Sequence, residues 1–182
     1  AQKFAQSHGG WIATRLAKLP ERVPFAEDSV IPLRGVPHRI VAREGRGMAE
    51  ADPASATLAV PGDPAHMPRR VREFLMREAR RDLSQSVAVY ATRLGQRPAR
   101  VTLRDTRSRW GSCTARGELN FSWRLILAPP VVLDYLVAHE MAHLREMNHS
   151  PRFWALTNEL CPHVDEAERW LKRHGSELHR YG

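Results

Sequence analysis

The sequence predicts an α+β fold in which a histidine-bearing helix packs on a small, mostly antiparallel sheet. Three observations predict it. Residues 139–149 read His-Glu-Met-Ala-His-Leu-Arg-Glu-Met-Asn-His, preceded by apolar residues at helical spacing. Short alternating or apolar runs bounded by turn residues, within 30–60 and 99–127, read as strands. A long apolar stripe at helical spacing follows Pro68.

Taken in order, residues 1–19 read as an amphipathic helix, with Phe4, Trp11, Ile12, Leu16 and Leu19 near helical spacing and Pro20 as its stop. Runs 30–33 and 36–41 read as strands joined by a tight turn at Arg34-Gly35. Residues 44–56, rich in Gly, Ala, Asp and Pro, read as a loop, and 57–60 as a returning strand. His38 and His66 lie here and read as surface residues. Residues 69–94 form a long helix striped by Val71, Phe74, Leu75, Leu83, Val87, Tyr90, Ala91 and Leu94, and Gly95 ends it. Its other face carries arginines from Arg69-Arg70 to Arg80-Arg81. Residues 99–105 alternate as a half-buried strand. A hairpin follows, with 108–113 and 118–127 as strands and Leu119, Phe121 and Trp123 on one face. Ala128-Pro129-Pro130 ends the sheet, and the histidine helix spans 131–147 with Leu133, Val137, Met141 and Leu144 toward the core. Asn148 serves as a left-handed exit, and Ser150-Pro151 caps the next helix. A last helix spans 164–174, before Gly175. The result is an N-terminal helix plus small β lobe over 1–66 and a second region over 67–182, together one compact unit.

At 182 residues the chain is long enough for one good core. Beginning at Ala1 rather than Met, it reads as a trimmed piece. It has no run of 18 apolar residues, so no membrane span is expected, and no signal peptide stands out. Two cysteines make no disulfide framework and favour a reducing, cytoplasmic setting. The net charge of +8, carried almost wholly by arginine, fits either a solvated surface or a nucleic-acid partner.

The histidines carry the chemistry. His139 and His143 lie four apart, on one face of a helix, where both can grip one metal ion. His149 completes a three-histidine set if the chain turns back after the helix. Zinc is the expected metal, since three imidazoles leaving one open position suit catalytic zinc. Glu140, beside the pair but outside the ligand set, can take a proton from a water activated there, the arrangement of a peptidase. A carboxylate from a later helix is a rival third ligand, with Asp165, Glu166 and Glu168 as candidates.

His139 to Trp154, read as HEMAHLREMNHSPRFW, resembles the core motif of the YgjP-like, SprT-related zinc metallopeptidases, the domain of unknown function 45. Arg109-Trp110-Gly111-Ser112-Cys113 with the Gly-x-Leu-Asn run at 117–120 is similar to a second signature of that family, as is Leu-Pro-Glu-Arg-Val-Pro-Phe-Ala at 19–26. The resemblance implies a zincin-like fold, His139, His143 and His149 as zinc ligands, Glu140 as general base, and peptide or protein substrates. The ligand spacing is also that of the metzincins, but Glu146 stands at their glycine position and no Met follows Met147 to build their Met-turn. SprT-like relatives cleave DNA-bound proteins, so a nucleic-acid-associated protease module is the alternative function, and a non-catalytic zinc protein a further one. Arg109, Asn120 and Tyr135 are candidate substrate-binding residues: Arg109 aimed at a carbonyl, Asn120 on a strand edge along which a peptide adds, Tyr135 lining the cleft one turn before His139. Trp110 is expected behind the histidine helix, and Cys113 is not expected to be a nucleophile.

Overall fold

The computed structural model describes residues 21–182, so the helix expected over 1–19 lies outside the described residues. Among the described residues, two small sheets and four α-helices share one cluster of buried apolar residues. The fold is α+β, as expected.

The first sheet runs β1 (Val30–Leu33), β2 (Val36–Arg43), β3 (Glu50–Asp52) and β4 (Thr57–Pro61), in the spatial order β1-β2-β4-β3. Arg34 and Gly35 both adopt positive φ, 52° and 78°, which suits a two-residue hairpin turn. That turn docks on the core: its two amides donate to the carbonyls of Ile126 and Leu127 at 2.7 and 3.1 Å. The expected loop over 44–56 contains a short strand instead. Asp52 closes it by accepting from Ala54 N and Ser55 Oγ at 2.9 and 2.6 Å, a turn built by an acidic side chain. His38, expected at the surface, is buried and hydrogen-bonds the Val36 carbonyl through Nδ1 at 2.8 Å.

Helix α1 (Met67–Leu94) buries the expected stripe and ends at Gly95, whose φ of 63° is the left-handed cap predicted for it. The second sheet holds β5 (Arg100–Arg104), β6 (Gly111–Cys113) and β7 (Glu118–Ser122), in the order β5-β7-β6. Three of the five strand ladders are antiparallel; β2 with β4 and β5 with β7 are parallel. Strand β7 stops at Ser122, short of the expected 127. The Ser122 hydroxyl accepts from Arg124 N at 3.4 Å and starts a buried 3₁₀ turn, Trp123–Leu127. Arg124 then ties the chain's C-terminal end down, donating to Asp105 Oδ1 at 2.8 Å and to the Leu178 and Tyr181 carbonyls at 3.2 and 2.6 Å.

Helix α2 (Pro130–Ala142) is the histidine helix, and it is buried on nearly every side. It ends at Ala142, with His143 as its cap, five residues before the expected end. Leu144 N and Arg145 N bond back three residues, to the Met141 and Ala142 carbonyls at 3.0 Å each, which tightens and closes the last turn. The exit is held by Arg145, which donates to the Leu94 carbonyl, and by Gln96 Nε2 on the Leu144 carbonyl at 3.3 Å. Asn148, predicted to be left-handed, is not among the residues with positive φ. Helices α3 (Pro151–Leu160) and α4 (Val164–His174) follow, and a 3₁₀ turn (Gly175–Arg180) brings Tyr181 beside Val23. No described helix is long and apolar enough to cross a membrane.

Candidate metal centre

One helix and the loop after it deliver the three histidines. His139 comes from the last turn of α2, His143 from its cap, and His149 from the loop before α3. Ser150 makes that return possible: its hydroxyl accepts from Phe153 N at 3.4 Å and Pro151 starts the helix, the cap pair read from the sequence. One ligand nitrogen from each imidazole lies within 4.8 Å of the others, and His139 Nε2 is 3.1 Å from His149 Nε2. Phe153 stacks on His143 at 4.5 Å between centroids and Trp154 on His149 at 5.8 Å. These two rings wall the site. Their positions just after His149, in the helix that Ser150-Pro151 starts, are the sequence signal for them.

The donor set fits a metal ion. His143 holds Nδ1 against the Glu146 carbonyl at 3.0 Å, which leaves Nε2 for the ion. Burial, and then the charges of His143 and His149, lower the His139 pKa to about 4, so it stays neutral, the form that can ligate. Burial lowers the His143 pKa as well. Among the described residues the metal-competent cluster contains these three histidines and no carboxylate. Two of the rival ligands have other partners: Glu168 accepts from Tyr135 Oη at 2.7 Å and Glu166 lies 3.6 Å from His163 Nδ1.

Glu140 is buried beside the cluster. Burial pushes its carboxyl up to about 7, against the downward pull of the Arg109 charge. Its carboxylate lies against Gly111 of β6, where a Cβ would meet Oε1 at 2.5 Å. This contact gives a physical reason for a glycine in the Arg-Trp-Gly-Ser-Cys stretch, a role the sequence reading did not assign.

The other candidates fall differently. Arg109 is exposed, at the start of β6, and acts on Glu140 through charge. Asn120 lies on β7, the middle strand, paired with Thr102 on one side and Ser112 on the other. The edge strand bordering Glu140 is therefore β6. Tyr135 is buried, with Oη 3.4 Å from His139 Nδ1. Trp110 stacks on His179 at 4.9 Å and touches Gly175, so it packs on the C-terminal turn rather than behind α2. Burial, then the Glu140 charge, raises the Cys113 thiol to about 11, which suits the expectation that it is no nucleophile. In the arginine-rich stretch of α1, Arg69 pairs with Glu73, Arg81 with Glu78, and Arg77 donates to the Ala49 carbonyl.

The family model of the YgjP-like metallopeptidase domain matches residues 1–174. The chain belongs to the YgjP-like metallopeptidase family. Membership makes it a peptide-bond hydrolase with a metal cofactor and protein or peptide substrates, and it agrees with the zincin-like architecture expected from the motif. The crystal structure of the metallopeptidase zymogen of abylysin from Pyrococcus abyssi is similar at a TM-score of 0.45 and 18% identity, over 50% of this chain and 93% of that one. No curated protein matches this YgjP-like sequence.

Proposed function

We propose that the chain is a zinc-dependent peptidase with His139, His143 and His149 as the metal ligands and Glu140 as the general base. The observation that carries this reading is the convergence of three imidazole nitrogens, with Glu140, a buried carboxylate that is not among them, directly after His139 on the same helix. Zinc bound there would act as a Lewis acid and bring the pKa of water toward about 7.

The chain's own groups supply the rest. Glu140 accepts the proton of the attacking water and hands it to the leaving amide nitrogen, a transfer suited to a carboxyl whose pKa lies near neutrality. The substrate backbone extends along the β6 edge, where Gly111 gives the carboxylate access to the scissile bond. Arg109, exposed at the start of that strand, offers a donor to a substrate carbonyl. Tyr135 supports the site from inside rather than lining the cleft. Residues 67–182 supply all of these groups, with the first β lobe as an appendage. The free thiols Cys113 and Cys161 favour a reducing, cytoplasmic setting.

The deciding experiment is Glu140→Gln. Zinc content and fold should persist, while hydrolysis of an unfolded protein falls by about 10²–10⁴ or more. A variant that cleaves as fast as the parent, with zinc in both, ends this mechanism.

A further inference from the structure

Glu168 stands 19 positions or more from every histidine of the cluster, yet it reaches the site through one intermediary. Tyr135 Oη donates to Glu168 Oε1 at 2.7 Å. A phenol has one proton, and once that is given to the carboxylate its oxygen faces His139 Nδ1, 3.4 Å away, as an acceptor. His139 then carries its proton on Nδ1, and the Nε2 lone pair is left pointing at the other imidazoles, 3.1 Å from His149 Nε2. On His143 the Glu146 carbonyl plays the matching part at Nδ1.

We propose that Glu168, through Tyr135, is a positioning residue that fixes the tautomer and ring orientation of His139 for metal binding. The proposal rests on the reading of the three histidines as a zinc site. It gives Glu168 an indirect role in place of the direct ligation its sequence position permits. Groups of this kind raise the basicity of a ligating imidazole and hold its ring, and their loss typically weakens metal binding about 10–100-fold.

The test is zinc affinity, measured by competition with a chromogenic chelator, together with the ¹⁵N resonances of the histidine side chains in the zinc-free protein. Tyr135→Phe keeps the ring and removes only the bridge. It should weaken zinc binding about 10–100-fold and move His139 from the Nδ1–H tautomer to a mixture. Glu168→Ala should match it, and the double variant should be no weaker than either single one, because both act along one path. Glu168→Gln keeps an acceptor for the phenol and should recover most of the affinity. Glu166→Ala, on the same helix, should leave it at the parent value. If Tyr135→Phe binds zinc as tightly as the parent while Glu168→Ala does not, Glu168 ligates directly and the relay is wrong. Parent affinity in both variants overturns it too. A parent protein that binds no zinc would instead sink the underlying reading of the site.

Discussion

The carboxylate of Glu140 rests against the backbone of Gly111, so closely that a methyl group at position 111 would meet Oε1 at 2.5 Å and Cγ at 2.8 Å. Glu140 is itself buried. Gly111→Ala should therefore displace the base while sparing the histidines. Zinc content is expected to match the parent, and turnover to fall by at least about 10². Parent-like turnover would mean that the position of this carboxylate does not set the rate.

His149 is exposed and comes from a loop, whereas His139 and His143 are fixed by one helix. His149→Ala should leave the fold intact and a two-histidine site that releases zinc to a chelator the parent resists. Metal analysis after dialysis reads this directly. Full zinc occupancy in the variant would move the third-ligand role elsewhere.

Arg124 joins three parts of the chain and is 4% exposed. Its guanidinium holds Asp105 and two C-terminal carbonyls and lies 4.5 Å over the Trp123 ring. Arg124→Met keeps the apolar stem but strips these acceptors of their donor. Urea unfolding should show a loss of about 2–4 kcal/mol, the range for hydrogen bonds to a charged group and for half-broken buried pairs.

The same pair sets a pH dependence. Burial raises the Asp105 pKa, but the hydrogen bond and charge of Arg124 outweigh it and hold the carboxyl below its ordinary 3.8. The folded state therefore binds this proton more weakly than the unfolded one. Stability from the pair is fully present above pH 3.8 and is lost as pH falls through the lower, folded value. In Arg124→Met the acid limb of a stability profile should be shallower than in the parent.

Cys113 offers a check on the interior beside β6. With its thiol raised to about 11, roughly one molecule in 10³ carries the thiolate at pH 8. Iodoacetamide should leave Cys113 unlabelled in the folded protein and label it in denaturant. Rapid labelling without denaturant would contradict the packing described for β6.

The site was more legible in the sequence than the sheets were. Four-residue spacing fixes His139 and His143 on one helical face, and Ser150-Pro151 announces the turn that returns His149. Strand order leaves no such local mark. β2 reaches β4 across the excursion 44–56, and β5 reaches β7 past β6, so both parallel ladders depend on burial between distant segments. That is why Asn120 was read on an edge and found in the middle. The run Trp123–Leu127 was read as strand because a short apolar run looks the same whether it is extended or wound into a buried turn. The close of α2 at Ala142 depends on contacts from Leu94 and Gln96, about 50 residues earlier.

An edge strand that took a substrate would be equally open to another copy of the same protein, and β6 is an edge strand. It is only three residues long, with Arg107 and Arg109 before it and Arg116 after it. Two copies docking edge to edge would gather these like charges along the seam, at a cost that salt relieves. Colloidal stability of the purified protein should thus decline as ionic strength rises, and the arginines flanking the cleft would serve as gatekeepers against self-association.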